Sequence, residues 1–397
     1  MTDFASRWGF GPDLFWLHGE QPKEVVTFAE ELGCWVVYGY PEVVEVLERE
    51  QEFSTDSSKL FNLDEEMAQA IYGDLTQMTG AEHRHLRAQV ASAFDANAME
   101  NLRARIHQLA VELLGRLDGR ERFDLLGDFV DDLSGIVFTE LLGIPAQDRS
   151  FFALVNQSMD AEAQLTVGDA GADEDYFANL TAPLQPLRDM LGAHIDERRE
   201  RPREDLLSLM AGVRLLDGEL MSRNQIINFV IGILGAGHLA TPLLIGNTVL
   251  CLDSFPDQAA RVRGDRSLVP TLLDETMRFL TPANATFRAT TTDVDLAGFS
   301  IPRDQLVRLT FPTANRDPRK FTDPDTFDAG RNPNPHLGFG HGNHFCLGRQ
   351  MIRVETGIVF NLLLDRFDRI AVDPDVAPAF FASPDFTGVK SLTVRAG

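Results

Sequence analysis

A chain of 397 residues with 60 acidic against 36 basic side chains carries a formal charge of −24, which argues against nucleic acid or an anionic lipid surface as a whole-molecule partner. Hydrophobic residues make up 44% of it, enough for a large core, and three cysteines, Cys34, Cys251 and Cys346, are too few and too scattered for a disulfide framework. The opening MTDFASRWGFGPDLF has neither a basic n-region nor an apolar h-region, and no stretch reads as the ~18 apolar residues of a membrane span. A protein of the reducing cytosol, cytoplasmic and with no membrane contact, is expected.

No Pro/Gly/Ser linker, repeat or low-complexity tract interrupts the chain, so residues 1–397 read as a single domain. Arginine far outnumbers lysine, a usage associated with GC-rich bacterial genomes. From Val25 to Leu47 alternating apolar runs give way to PEVVEVLERE, where Pro41 opens a helix, so a small sheet followed by a helix is predicted. An irregular acidic stretch, Ser54 to Gly80, precedes a helix beginning near Glu82. On it His83 and Arg87, at i and i+4, share a face and can hold one anionic group; from the pair alone a solvated helix face is as good a reading.

Leu102–Leu117, Phe123–Leu142 and Ser150–Met159 read as successive amphipathic helices. An acidic, Gly/Ala-rich run follows, with Asp160, Glu162, Asp169, Asp173, Glu174 and Asp175; between two helices it reads as a lid or as solvated charge. The most hydrophobic helix, Ile226–Leu250, has Gly235, Gly237 and Pro242 at its centre, and these predict a loosened or kinked helix to whose backbone something approaches closely. Leu268–Leu280 carries Glu275 and Arg278, an i,i+3 charge pair in an apolar helix that needs further partners to offset its desolvation. Thr281–Arg288 runs extended, Val294–Val307 reads as short strands, and Ala379–Val394 reads as a hairpin whose tip near Ser383-Pro384-Asp385 reaches back toward the pocket.

Between the strands and the last helix, predicted over Leu347–Phe367, lies Phe339-Gly340-His341-Gly342-Asn343-His344-Phe345-Cys346-Leu347-Gly348. Its glycines allow backbone to lie against something wide. A thiol at a helix N-terminus among N–H groups and basic side chains is expected as thiolate, a soft ligand for iron. The pattern FxxGxxxCxG, filled by Phe339, Gly342, Cys346 and Gly348, resembles the cysteine-ligand loop of the cytochrome P450 family; a chance match in such a chain is about one in a thousand. The resemblance covers nearly the whole chain. It implies a mainly α-helical fold with small β-sheets, and one haem b between the long helix and the cysteine loop. Cys346 would be the axial ligand of the haem iron, with Phe339, Gly340, Gly348 and Ala236 against the cofactor and His83, Arg87, Arg288 and His344 on its propionates. It also implies a structural triad of Glu275, Arg278 and Arg331.

In the resembled family the long helix carries AGx(D/E)TT, whose acid and first threonine manage the protons used to split dioxygen. Ala236, Gly237 and Thr241 match, but Leu239 and Ala240 stand where the acid and that threonine are expected. Thr241 is offset by one residue, about 100° around the helix, and is expected to face away; His238 is a further titratable group. The resemblance thus implies a monooxygenase whose catalytic positions are Cys346, Gly237, Ala240 and Thr241, with protons supplied by the substrate or by waters it orders. Electrons would come from a ferredoxin and its reductase, meeting Arg84, Arg349 and Arg353. The substrate expected is a secondary-metabolite intermediate, a polyketide-type aromatic acid in solution or tethered to a carrier protein. A peroxide-driven enzyme, and a catalytically retired relative that binds a ligand or partner, are the alternatives.

Overall fold

The computed structural model describes residues 4–61, 72–144, 154, 182–381 and 383–396. The most apolar run forms a 32-residue α-helix, Arg223–Ser254, started by a capping box in which Ser222 and Gln225 satisfy each other's backbone N–H. Helices Asp131–Leu142, Gln185–Glu200, Val269–Phe279 and Arg349–Arg366 pack around it, which is why apolar side chains are needed on all its faces. Contrary to the sequence reading, this helix does have the length and mean hydropathy, 1.8, of a membrane span; 56% of that window is buried by the fold, as in a core helix. It runs as one α-helix through Gly235, Gly237 and Pro242. Packing on several sides holds these residues of low helix propensity within it.

Three predicted helices appear with ends moved by a few residues, as Gly80–Val90, Val269–Phe279 and Arg349–Arg366. The predicted helix Leu102–Leu117 begins earlier, at Ala96, where Asp95 caps it by accepting from the Ala98 N–H. Phe123–Leu142 is not one helix. Arg122–Asp124 is a strand, a π-helical turn spans Leu126–Val130, and the α-helix is Asp131–Leu142. Phe123 leaves the helical pattern because it pairs with Val394 in a sheet closed by the C-terminal strand. The predicted helix Ser150–Met159, apart from Leu154, and the acidic run from Asp160 to Asp175 lie outside the described residues.

A five-stranded sheet has the order Val26–Ala29, Cys34–Val37, Leu306–Thr310, Ala285–Thr290, Phe53–Ser54. Its one parallel pair sets Trp35 to Val37 against Val307 to Leu309. The predicted C-terminal hairpin pairs Ala379–Phe380 with Val389–Ser391. Its tip is tied to the sheet, with Asn284 N–H donating to the Asp385 carbonyl at 2.8 Å and Arg308 to the Asp385 carboxylate at 2.9 Å.

The charge pair in Val269–Phe279 has the partners it requires. Glu275 and Arg278 are fully buried and joined by two bonds of 2.8 Å. The Glu275 carboxylate also accepts from Arg331 Nε at 3.1 Å, Asn334 Nδ2 at 3.1 Å and the Asp328 N–H at 3.0 Å. Arg278 in turn donates to the carbonyls of Asn315, Pro324 and Thr326. One carboxylate thereby fixes the irregular segment that leads into the cysteine loop.

Candidate functional site

The loop closes on itself through the Cys346 N–H, which donates to the Phe339 carbonyl at 2.8 Å. Gly340 and Gly342 take φ of 72° and 70°, a region where a side chain is strained; Gly342 also lies against Leu47, whose carbonyl oxygen a Cβ would meet at 3.0 Å. Gly348, at φ −81°, has open space around it and caps the following helix, so neither conformation nor contact with described residues requires glycine there. The Cys346 sulfur faces the cavity between loop and long helix. Burial pushes its thiol up, and the Gly348 N–H, Arg87 and the Arg349 N–H only partly offset that. Without a metal ion, desolvation thus outweighs the helix N-terminus; coordination to iron would displace the thiol proton to solvent and hold the sulfur as thiolate.

At one side of this cavity the four residues expected on the propionates converge. His83 and His344 stack with ring centroids 3.9 Å apart. Both ring nitrogens of His83 and Nε2 of His344 are buried without a partner among the described residues. Burial holds both imidazoles neutral, His83 at about 4 and His344 at about 3. Arg288 is buried, drops to about 10 through desolvation, and among the described residues donates to Thr286 and the Phe287 carbonyl. Arg87 reaches the Phe345 carbonyl. Glu50 lies close enough to the two histidines for the three to hold a metal ion, but the neighbouring arginines would repel a cation. Orphaned donors beside two guanidinium groups fit a pair of carboxylates, as haem presents.

On the long helix Ala236 and Gly237 line the cavity. The close approach expected near its glycines comes from protein: a Cβ on Gly237 would meet Phe138 Cζ at 2.0 Å. Leu239 is half-buried, and Ala240 is packed against the core; neither is among the lining residues. Thr241 is fully buried and turned away from the cavity, its hydroxyl donating to Glu355 at 3.2 Å. His238 is buried.

Glu355 carries no family motif, and in the sequence it reads only as a carboxylate balancing the arginines near the cysteine loop. Wholly buried, it accepts from Ser134 at 2.6 Å as well as from Thr241, and burial pushes its carboxyl up to about 7. Each of the three lies four residues from a cavity-lining residue of its own helix: Ser134 from Phe138, Thr241 from Gly237, Glu355 from Met351. The cluster therefore sits one turn below the cavity floor. A lone acid in the apolar run Met351 to Phe360 was the available signal. Asp74, also lining the cavity, was hidden in a stretch legible only as irregular and acidic.

The face expected to be basic is largely neutralised. Arg84 pairs with Glu50 at 3.0 Å and Arg353 with Asp274 at 2.6 Å, while Arg349 lies over the rings of Phe339 and Phe345.

A family model described as Cytochrome P450 matches residues 188–387. Cyclomarin C epoxidase CymV of Salinispora arenicola is 36% identical over 362 residues, 91% of this chain and 90% of that one. Erythromycin C-12 hydroxylase of Saccharopolyspora erythraea is 32% identical over 391 residues, 97% and 94% of the two chains. Among solved structures, HmtN, a post-tailoring hydroxylase of himastatin biosynthesis, superposes with a TM-score of 0.90 at 42% identity over all of both chains.

Proposed function

The chain belongs to the cytochrome P450 family and is a haem b monooxygenase, and from that premise we propose that it hydroxylates or epoxidises an intermediate of secondary metabolism, free or carrier-bound. The similar proteins that act on cyclomarin C, on erythromycin and in himastatin biosynthesis support that substrate class. The observation that carries the proposal is the convergence of Cys346 with His83, Arg87, Arg288 and His344 on one cavity under the long helix. Cys346 would hold the iron and the other four the propionates, with Phe339, Gly340, Gly348 and Ala236 along the cofactor. Haem, when bound, would supply the dioxygen chemistry, which a cysteine thiolate ligand would favour.

The residues of the chain do the rest. Burial of His83 and Arg288, with Arg87 and His344 partly covered, limits water on the propionate side, and the apolar cavity wall orients the substrate. With Leu239 and Ala240 unable to pass a proton and Thr241 turned away, protons reach the distal side through groups of the substrate or waters it orders. A well-fitting substrate then gives far more product per reductant consumed than a small, loosely held one; equal yields would point to a route through the protein. Electrons come from a ferredoxin, itself reduced by a reductase in the cytoplasm.

A catalytically retired relative would have no need of an intact set of orphaned donors around Cys346, and this favours the enzyme. Cys346→Ser tests the assignment: the red-shifted band of the reduced carbon monoxide complex disappears in the variant and is present in wild type. A surviving band means another residue holds the iron.

A further inference from the structure

The segment Tyr72 to Thr76 is fastened to the long helix along one stripe. Asn228 Nδ2 donates to the Tyr72 carbonyl at 2.8 Å. Gly73, at φ +106°, lies so close to Gln225 that a Cβ would meet its carbonyl oxygen at 2.5 Å, and the Asp74 carboxylate fills the space over Gly232, where a Cβ would meet Oδ1 at 2.6 Å. Gln225, Asn228 and Gly232 follow one another at spacings of three and four, on one face of the helix. Two glycines and an amide thus fit the segment down so that a carboxylate is set into the cavity wall, one turn of helix before Ala236.

That carboxylate lacks a counter-ion. Oδ1 accepts from the N–H and hydroxyl of Thr76, both at 2.9 Å, but no described residue donates to Oδ2 and no described arginine, lysine or histidine pairs with Asp74. Outside the described side chains the sequence holds two further basic residues between 59 and 181, Lys59 and Arg149. Burial pushes the carboxyl up and no neighbouring positive charge opposes it. The cations of the cavity, Arg87 and Arg288, stand with the two histidines and are assigned to haem. A carboxylate held this way is stabilised by a ligand that brings its own positive charge.

We propose that Asp74 receives a basic amine of the substrate, as an ion pair within the cavity. This rests on the monooxygenase reading and narrows it: a free aromatic acid would set a second carboxylate toward Asp74, whereas an amine-bearing metabolite would complete the site. Asp74→Asn is the variant of choice, since it keeps the Oδ1 acceptor for Thr76 and hence the turn while removing the charge. Holoprotein of both forms is first checked for the carbon monoxide band. Equilibrium dialysis at neutral pH then compares two probes, N,N-dimethyl-phenylbutylamine and the hydrocarbon in which carbon replaces its nitrogen. The expected result is an affinity for the amine about 10- to 100-fold lower in the variant, the range of a charged hydrogen bond, with hydrocarbon affinity unchanged. Equal losses for both probes, no loss for the amine, or a variant altered only in product formed per reductant would overturn the assignment. Absence of the carbon monoxide band in wild type would instead overturn the haem reading beneath it.

Discussion

Glu355 shows how one buried side chain sets a property of the whole protein. Among the described residues no cation faces it: Ser134 on Asp131–Leu142 and Thr241 on Arg223–Ser254 are its hydrogen-bond partners, and both are neutral hydroxyls. With its carboxyl at about 7 against an ordinary 4.5, the folded state binds a proton that the unfolded state has released, between those two values. Its contribution to stability is therefore complete below about 4.5 and is lost as pH rises through about 7, by up to about 3 kcal/mol at 1.36 kcal/mol per pH unit. Glu355→Gln keeps an acceptor for Ser134 and removes the titration. Thermal unfolding of the holoprotein at mildly acidic and mildly alkaline pH should show wild type losing stability relative to the variant as pH rises. A constant difference across that range would mean that Glu355 is ionised throughout and that its charge is held by more than the hydroxyls of Ser134 and Thr241.

At the scale of elements, the irregular segment before Cys346 hangs on the Glu275 network. Removing the carboxylate leaves Arg278, which is wholly buried, and the largely buried Arg331 without their counter-charge, a loss of about 3–5 kcal/mol against the ~5–15 kcal/mol that holds a typical domain together. Glu275→Ala is expected to give insoluble or haem-free protein, read as soluble yield and haem content; normal yield of haem-replete protein would remove the structural role. This network was legible in the sequence because its three charges stand at spacings the resembled family uses, as was the cysteine loop. What was not legible came from contacts distant in sequence. Phe123 is a strand residue only because Val394, some 270 residues later, lies beside it. Pro242 stays within its helix because the surrounding helices hold it. Asp74 became visible as a site residue when Gln225, Asn228 and Gly232 proved to lie beneath its turn, and Thr241 found its partner on a helix more than a hundred residues further on.

For the whole molecule, the proposed acidic ferredoxin has to approach a protein of charge −24. Counting arginines suggests a basic docking face, but Arg84 has Glu50 and Arg353 has Asp274, and along the helix Arg349–Arg366 Arg103 has Glu100 and Arg266 has Asp365. Paired in this way they cancel beyond the Debye length of about 8 Å at physiological ionic strength, leaving short-range contacts rather than a field that gathers the partner. The two molecules repel at long range, and salt relieves that repulsion. Steered association between opposite charges slows steeply as salt is added, by about tenfold or more. Here the rate at which an acidic ferredoxin reduces the carbon monoxide-bound protein, followed by stopped flow from low to physiological ionic strength, should stay level or rise. A steep fall would show that Arg349, which stacks on Phe339 and Phe345, works with neighbouring arginines as a steering patch despite their carboxylates.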